Sequence, residues 1–491
     1  MARLADTLTE EGFNVTFLVP IAIEDRRDKL GVKSTKDVII VEQDEQMKRE
    51  LKPSSGSIEF LWIIEMDSSS IDTMFSWYND IMALTCQNFM RNKEVLAELK
   101  SRHFDVAIAE PFTICGLGIF EELKIQKTIL VSSCTHYDFM LPHIGEPEDF
   151  SSVPTLSSKV GEEMSMAEKW ENYRLVEETK KSLAKLFDAE TSTYRKAFGQ
   201  NVPNWKDLMA SASLYFTNSN PFIDYPRASI QKTIPIGGIT VDLEKIRAEK
   251  LDEQWEKVLN EREKSMLISF GSNVPSAKMP SAWKSGILNT IKAMPNVTFI
   301  WKYESDDVAF ADGIPNIHFS KWVPQTALLG DRRLSAFLTH GGLGSTNELA
   351  YCGKPAVMVP IYGDQTRNAN MLARHGSVIV LHKKDLADAQ RVQSAVHSVI
   401  FEEKYTRNAE RIGKMLANQP MKPKETLVKY TEFVAKYGPF PQMDPHGRKL
   451  HFFQKTFLDI YTFIFSVFVV TALAFYILVK FIFCFVKVKS D

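Results

Sequence analysis

Between Phe337 and Gly376 the chain reads FLTHGGLGSTNELAYCGKPAVMVPIYGDQTRNANMLARHG, an order of residues that few folds can accept. Leu334 to Thr339 is a short apolar strand, and His340, Gly341 and Gly342 make a turn free of bulk next to the His. Ser345 to Glu348 has the Ser-x-x-Glu spacing of a capping box that opens a helix. Gly353 stops that helix, Pro355 keeps it stopped, and Ala356 to Pro360 gives the next strand. Asp364 and Gln365 begin a second helix that Gly376 ends. The unit predicts a strand-to-helix turn whose backbone N–H groups carry partial positive charge, with glycines that let a phosphate approach the main chain. Spacing alone leaves two readings open, a nucleotide-phosphate site of α/β type and a plain glycine-rich βα turn.

The same alternation extends outward. Met266 to Phe270 is a buried-type strand ending in Gly271-Ser272, Pro280 to Met294 is helical, and Val297 to Trp301 is another strand. Asn14 to Val19, Val38 to Val41, Val106 to Ala109 and Thr128 to Val131 are strand candidates in the first half, and Ser213 to Val241 holds two more short ones. Glu162 to Phe198 is charged and periodic at three to four residues, which predicts one or two amphipathic helices. Asp242 to Lys264 is a charged run suited to a boundary, and Tyr437 to Lys449 is a Pro/Gly-rich linker. Alternating units of this kind predict parallel sheets covered on both faces.

Taken residue by residue, THGG, then Ser345, Glu348, GKP, Asp364-Gln365 and an Asn before a closing glycine resemble the signature of the UDP-glycosyltransferases. More narrowly they resemble the animal UDP-glucuronosyltransferase branch, and the resemblance runs from Ala2 to the tail. It implies an α/β fold of two Rossmann-like domains facing a cleft (GT-B type) with a C-terminal transmembrane helix. The implied layout is an acceptor-binding domain over 1–240, a linker over 241–262 and a UDP-sugar-binding domain over 263–437. A second linker over 438–456, a membrane helix over 457–479 and a cytoplasmic tail over 480–491 complete it. The implied reaction moves glucuronic acid or glucose, with inversion, from a UDP-sugar to a hydroxyl of a small lipophilic acceptor. No cofactor beyond the donor substrate is implied, self-association into a homo-oligomer is left open, and helices of the 162–198 region would help form the acceptor pocket.

The resemblance also distributes roles. Gly271 and Ser272 would offer donors to phosphate; Trp322 would stack on uracil, with Gln325 reaching uracil or ribose. His340 would bond the diphosphate beside Gly341 and Gly342, with Ser345 at the same helix mouth. Glu348 would accept from ribose hydroxyls, and Asp364 and Gln365 would hold the sugar's hydroxyls. Gly344 departs from the pattern: many vertebrate members carry Asn there, and a side-chain contact to phosphate is lost. For catalysis the family pairs a base His with an orienting acid. Glu110, at the end of FDVAIAEPF, takes the acid's place, one methylene longer than the family's Asp. The base His belongs to a segment before the helix that opens this chain.

That opening is an expectation in itself. Met1 to Glu11 reads as a helix feeding the strand at Asn14, the second half of a βα unit, and no secretory signal stands in the sequence as written. The expectation is that signal, first strand and base His precede Met1, so that the chain as written is inactive; His103, His136 and His143 do not match the base position. At the far end, Ile460 to Val479 is twenty uncharged residues, enough at about 1.5 Å each to cross a bilayer. Lys480, Lys487 and Lys489 then place the tail in the cytoplasm and the domains on the other side, and the tail resembles an endoplasmic reticulum retrieval signal. With 59 basic and 61 acidic residues the chain lacks the basic footprint of a nucleic-acid binder. Five scattered cysteines predict neither a disulfide scaffold nor a metal site. A non-catalytic UDP-sugar or lipophile binding protein remains the alternative; an epimerase fits the membrane anchor and Asp364-Gln365 less well.

Overall fold

The computed structural model describes residues 1–51 and 59–488. Residues 1–443 form one compact unit and 444–491 another. In the first unit, every strand pairing is parallel. β1 (Thr16–Pro20) pairs only with β2 (Asp37–Val41), whereas β3 (Ala107–Ala109), β4 (Thr128–Val131), β5 (Leu214–Thr217) and β6 (Thr233–Pro235) follow in order in a separate sheet. β4 and β5 are buried at every position, as strands covered on both faces must be.

The second half builds a six-stranded sheet from β7 (Lys264–Ser269), β8 (Val297–Lys302), β9 (Ile317–Ser320), β10 (Ala336–Thr339), β11 (Ala356–Met358) and β12 (Val378–Val380). Its order is β12-β11-β10-β7-β8-β9. The chain reverses direction of build-up between β7 and β10, and the carboxyl ends of those two strands open the crevice where doubly wound sheets bind ligands.

The helix Met166–Phe198 is a single 33-residue element, begun by a Ser165/Glu168 capping box and packed on Ile71–Arg91 within the first half of the chain. The helix Pro423–Tyr437 follows the second sheet in sequence yet packs on the first: Leu427 and Val434 are fully buried with Ile129, Leu214 and Phe216 of β4 and β5, and Lys127 donates its ammonium to the Ala435 carbonyl. Contrary to the sequence expectation, Cys86 and Cys115 form a disulfide that ties Ile71–Arg91 to the helix Cys115–Glu122. Their spacing of 29 residues belongs to no short motif, and only the fold brings them together.

The second unit holds the short helix Phe452–Lys455 and the long helix Leu458–Val488, whose segment Leu458–Phe483 is long and apolar enough to cross a membrane, and none of it is buried by protein. The last three residues of the tail motif Lys487–Asp491 lie outside the described residues.

Candidate active site

His340 follows β10 and is half-buried beside the turn after β7. A Cβ at Gly271 would lie 2.7 Å from its ring, and one at Gly342 would lie 2.6 Å from it, so the ring fits only because both walls are glycine. Gly271 and Gly341 also have φ of 82° and 83°, a region side chains avoid. Burial, with the nearby Lys302 ammonium adding to it, lowers the His340 pKa to about 4, so at neutral pH the ring is uncharged with one N–H to donate. Lys302 donates to the Gly271 carbonyl (2.9 Å) and to Glu304 (2.8 Å) and is itself buried, placing a positive charge behind the turn.

The helix Leu343–Cys352 starts from Gly342 without a side-chain cap. The expected capping box is therefore absent. Ser345 lies inside the first turn, and Gln325 takes both of its supposed members, donating to Ser345 Oγ (3.0 Å) and Glu348 Oε2 (2.6 Å). A capping box needs a free N-cap hydroxyl, and here the N-cap is Gly342, three residues before Ser345. Gly344 is exposed, with nothing within 4 Å of where a Cβ would stand, and Ser272, after β7, is exposed too. Burial raises the Glu348 pKa against the opposing bond from Gln325. Trp322 presents 72% of its surface, a flat apolar face with no partner ring among the described residues. Gly353 ends the helix in the left-handed conformation at φ 65°.

Asp364 stands at the N-cap of the helix Gln365–Ala373, where Asn368 donates to its Oδ2 (2.8 Å) and also to the Gly341 carbonyl (3.2 Å). Burial raises the Asp364 pKa. Gln365 is buried, its amide oxygen accepting from the N–H groups of Ile361 (2.8 Å) and Tyr362 (3.1 Å). From the opposite side, Glu110 closes β3. Its Oε1 accepts from the Ser133 N–H (3.0 Å) and from the Tyr137 hydroxyl. Cys134, between those two, has its thiol pKa pushed well up by burial, with the charges of Asp364 and Glu110 adding to the rise. The two carboxylates therefore converge on one thiol although they come from different sheets.

Sequence reasoning did not single out Lys302, Cys134, Tyr137 or Asn368. Asn368 was within reach of it, since it lies four residues after Asp364 on one helix face. The other three act through contacts between distant segments.

A doubly wound sheet with a neutral His between glycines at its switch point, facing a second parallel sheet across a crevice, defines a nucleotide-sugar-dependent glycosyltransferase of the two-domain type. The comparisons with known proteins agree, and the chain belongs to the UDP-glucoronosyl and UDP-glucosyl transferase family, whose model matches residues 1–490. It is 28% identical over 452 residues to ugt-56 of Caenorhabditis elegans, a chain assigned by name to the UDP-glucuronosyltransferases, covering 90% of this chain and 84% of that one. Human UDP-glucuronosyltransferase 1A1 is 25% identical, over 78% of this chain and 70% of its own length. Among solved structures, a UDP-glucosyltransferase from Polygonum tinctorium superposes with a TM-score of 0.60 at 14% identity, over 89% of this chain and 95% of that one. The glycosyltransferase VinC, solved with dTDP, gives 0.58 at 17% identity, over 89% and 96%. These two likenesses concern the fold.

Proposed function

We propose that this enzyme transfers glucuronic acid or glucose, with inversion at the anomeric carbon, to a hydroxyl of a small lipophilic acceptor at a membrane. The observation that carries the reading is the neutral His340 ring held between Gly271 and Gly342 at the helix mouth, a donor for diphosphate oxygens backed by Lys302. Trp322 is the uracil platform, Gln325 and Glu348 serve the ribose, and Asp364 with the Gln365 amide holds the sugar. Glu110 is the acid that orients the base; both described bonds to it fall on Oε1, which leaves Oε2 without a described bond. Inversion follows when the acceptor oxygen attacks the anomeric carbon opposite the leaving UDP, the base taking the hydroxyl proton as the bond to UDP breaks.

Two features support a luminal endoplasmic reticulum placement with one C-terminal span: the apolar Leu458–Phe483 helix, and the Cys86–Cys115 disulfide, a bond that persists in oxidising compartments. Calorimetry on the full chain tests the donor assignment. UDP should bind, and Asp364→Ala should weaken UDP-glucuronate or UDP-glucose while leaving UDP nearly unchanged; equal losses for both would remove the sugar-contact role. Mass spectrometry of a lipophilic phenol incubated with each donor separates transfer from mere binding.

A further inference from the structure

We infer that Trp62 is a positioning residue for the donor: it reaches from the first half of the chain into the second and holds the turn after β7 in the shape a diphosphate needs. Trp62 lies on the short helix Glu59–Ile63 and is fully buried. Among the described residues it is the one buried side chain that the first half contributes to the apolar core around β7 and β8. Its ring meets Phe270 edge-on, with centroids 5.1 Å apart, and Trp283 edge-on at 6.1 Å. Its Nε1–H donates to the Pro275 carbonyl (3.2 Å), 213 residues away in the chain. An indole has that one donor only, so the bond fixes how the ring sits as well as where.

Those contacts bracket the turn. Phe270 immediately precedes Gly271 and Pro275 follows Val274, so Trp62 grips both ends of the stretch Gly271–Val274. Within it Gly271 takes a φ of 82° and stands so close to His340 that a Cβ would lie 2.7 Å from the ring. A shift of the turn therefore alters one wall of the His340 site together with the aim of the backbone N–H groups beside it. The other grip from the first half is weaker: Arg26 donates to Asn273 Oδ1 (2.8 Å) at the surface, where water competes for both groups. The residues after Trp62 reach the sugar side of the site as well. Lys383 donates its ammonium to the Ile64 carbonyl and to the Ile361 carbonyl (3.1 Å), and the Ile361 N–H donates to the Gln365 amide oxygen (2.8 Å). A tryptophan needed only to fill this core could come from the second half itself. Supplied by the first half, it makes the geometry of the turn depend on the contact between the two halves.

The inference rests on reading His340 and the Gly271–Ser272 turn as the diphosphate site. Its test uses the full chain with UDP and uridine as probes, by calorimetry and hydrogen exchange. Trp62→Ala should weaken UDP about tenfold or more, as the loss of one hydrogen bond to a charged phosphate does, and leave uridine within about twofold, since Trp322 and Gln325 are untouched. Trp62→Phe keeps a ring against Phe270 and should recover most of that loss. UDP should slow exchange at Ser272–Val274 and at Gly342–Ser345 in the unaltered chain, but only at Gly342–Ser345 in Trp62→Ala. Equal losses for UDP and uridine, or UDP protection of Ser272–Val274 that survives the substitution, would overturn the inference. Should Trp62→Ala fail to fold, Trp62→Phe decides: without the bond to Pro275 it should speed exchange at Ser272–Val274 and weaken UDP about threefold with uridine unchanged, and an unmoved UDP affinity overturns the role. His340→Ala separates the two readings. If it leaves UDP affinity unchanged, the donor assignment itself falls; a loss there beside an unmoved Trp62→Ala removes the Trp62 role alone.

Discussion

His340 was singled out in the sequence by its neighbours in THGG, but its chemistry comes from Lys302 and Gly271, which lie far from it in the chain. Its replacement by Ala should weaken UDP by about 1.5–3 kcal/mol, the worth of a hydrogen bond to a charged group. It also carries a pH signature. The folded-state pKa of about 4 lies below the ordinary 6.5, so the unfolded chain takes the proton first. The stability tied to the neutral ring is complete above pH 6.5 and is lost as pH falls toward 4, amounting to about 2 kcal/mol at pH 5. Urea unfolding at pH 7 and pH 5 should show that His340→Gln reduces the difference by this amount. Gly344 offers the converse experiment. Nothing occupies the space beside it, so Gly344→Asn fits without displacing a neighbour and should tighten UDP several-fold by calorimetry. The Ser345–Glu348 spacing was misread as a cap because sequence does not say where a glycine-led helix starts. Gln325, twenty residues away in the chain, decided the matter by claiming both side chains.

At the scale of elements, strands read well wherever apolar runs were bounded by glycine or proline, as at β4, β10 and β11, and the charged periodic stretch became one long helix. Pairing partners read less well. Leu427 and Val434 mark an apolar stripe on Pro423–Tyr437, but a stripe does not say which sheet it covers, and the chain carries this helix back to the first. The Cys86–Cys115 bond was illegible for the same reason, since it joins two helices whose proximity is a tertiary fact. Closing a loop of this length should stabilise the fold by about 3–4 kcal/mol in the chain-entropy account. Mild reductant, or Cys86→Ser, should lower the melting temperature, with the loss of protection concentrated in Ile71–Arg91 and Cys115–Glu122. An unchanged melting temperature would mean the surrounding Phe89 and Ile119 packing already fixes both helices.

At the scale of the whole molecule, the two sheets are joined through the donor-site helix. Arg367, on Gln365–Ala373 and 2% exposed, donates to Asp224 Oδ1 (2.7 Å) and to the Pro154 carbonyl (3.1 Å) from the first half of the chain. Arg367→Met strands a buried carboxylate, which should cost about 3–5 kcal/mol across this contact. Because His340 and Trp322 are untouched, UDP should still bind by calorimetry while the radius of gyration in solution scattering increases; an unchanged radius would show that the other bridges hold the crevice shut without it. The composition of the motif pointed to a two-sheet architecture, but these bridging residues carried no sequence signal of their own, being single charges in otherwise ordinary helices and loops. The helix Pro423–Tyr437 adds a mechanical consequence. The chain passes between the halves once near residue 250 and again on its return to the first sheet, where Lys127 grips Ala435. A door hung on two pins can swing but cannot slide or twist, so the crevice should breathe by rotation about the line joining those crossings. Severing the backbone near Glu249 would leave the return strap as a single pivot and free every motion the pair forbids.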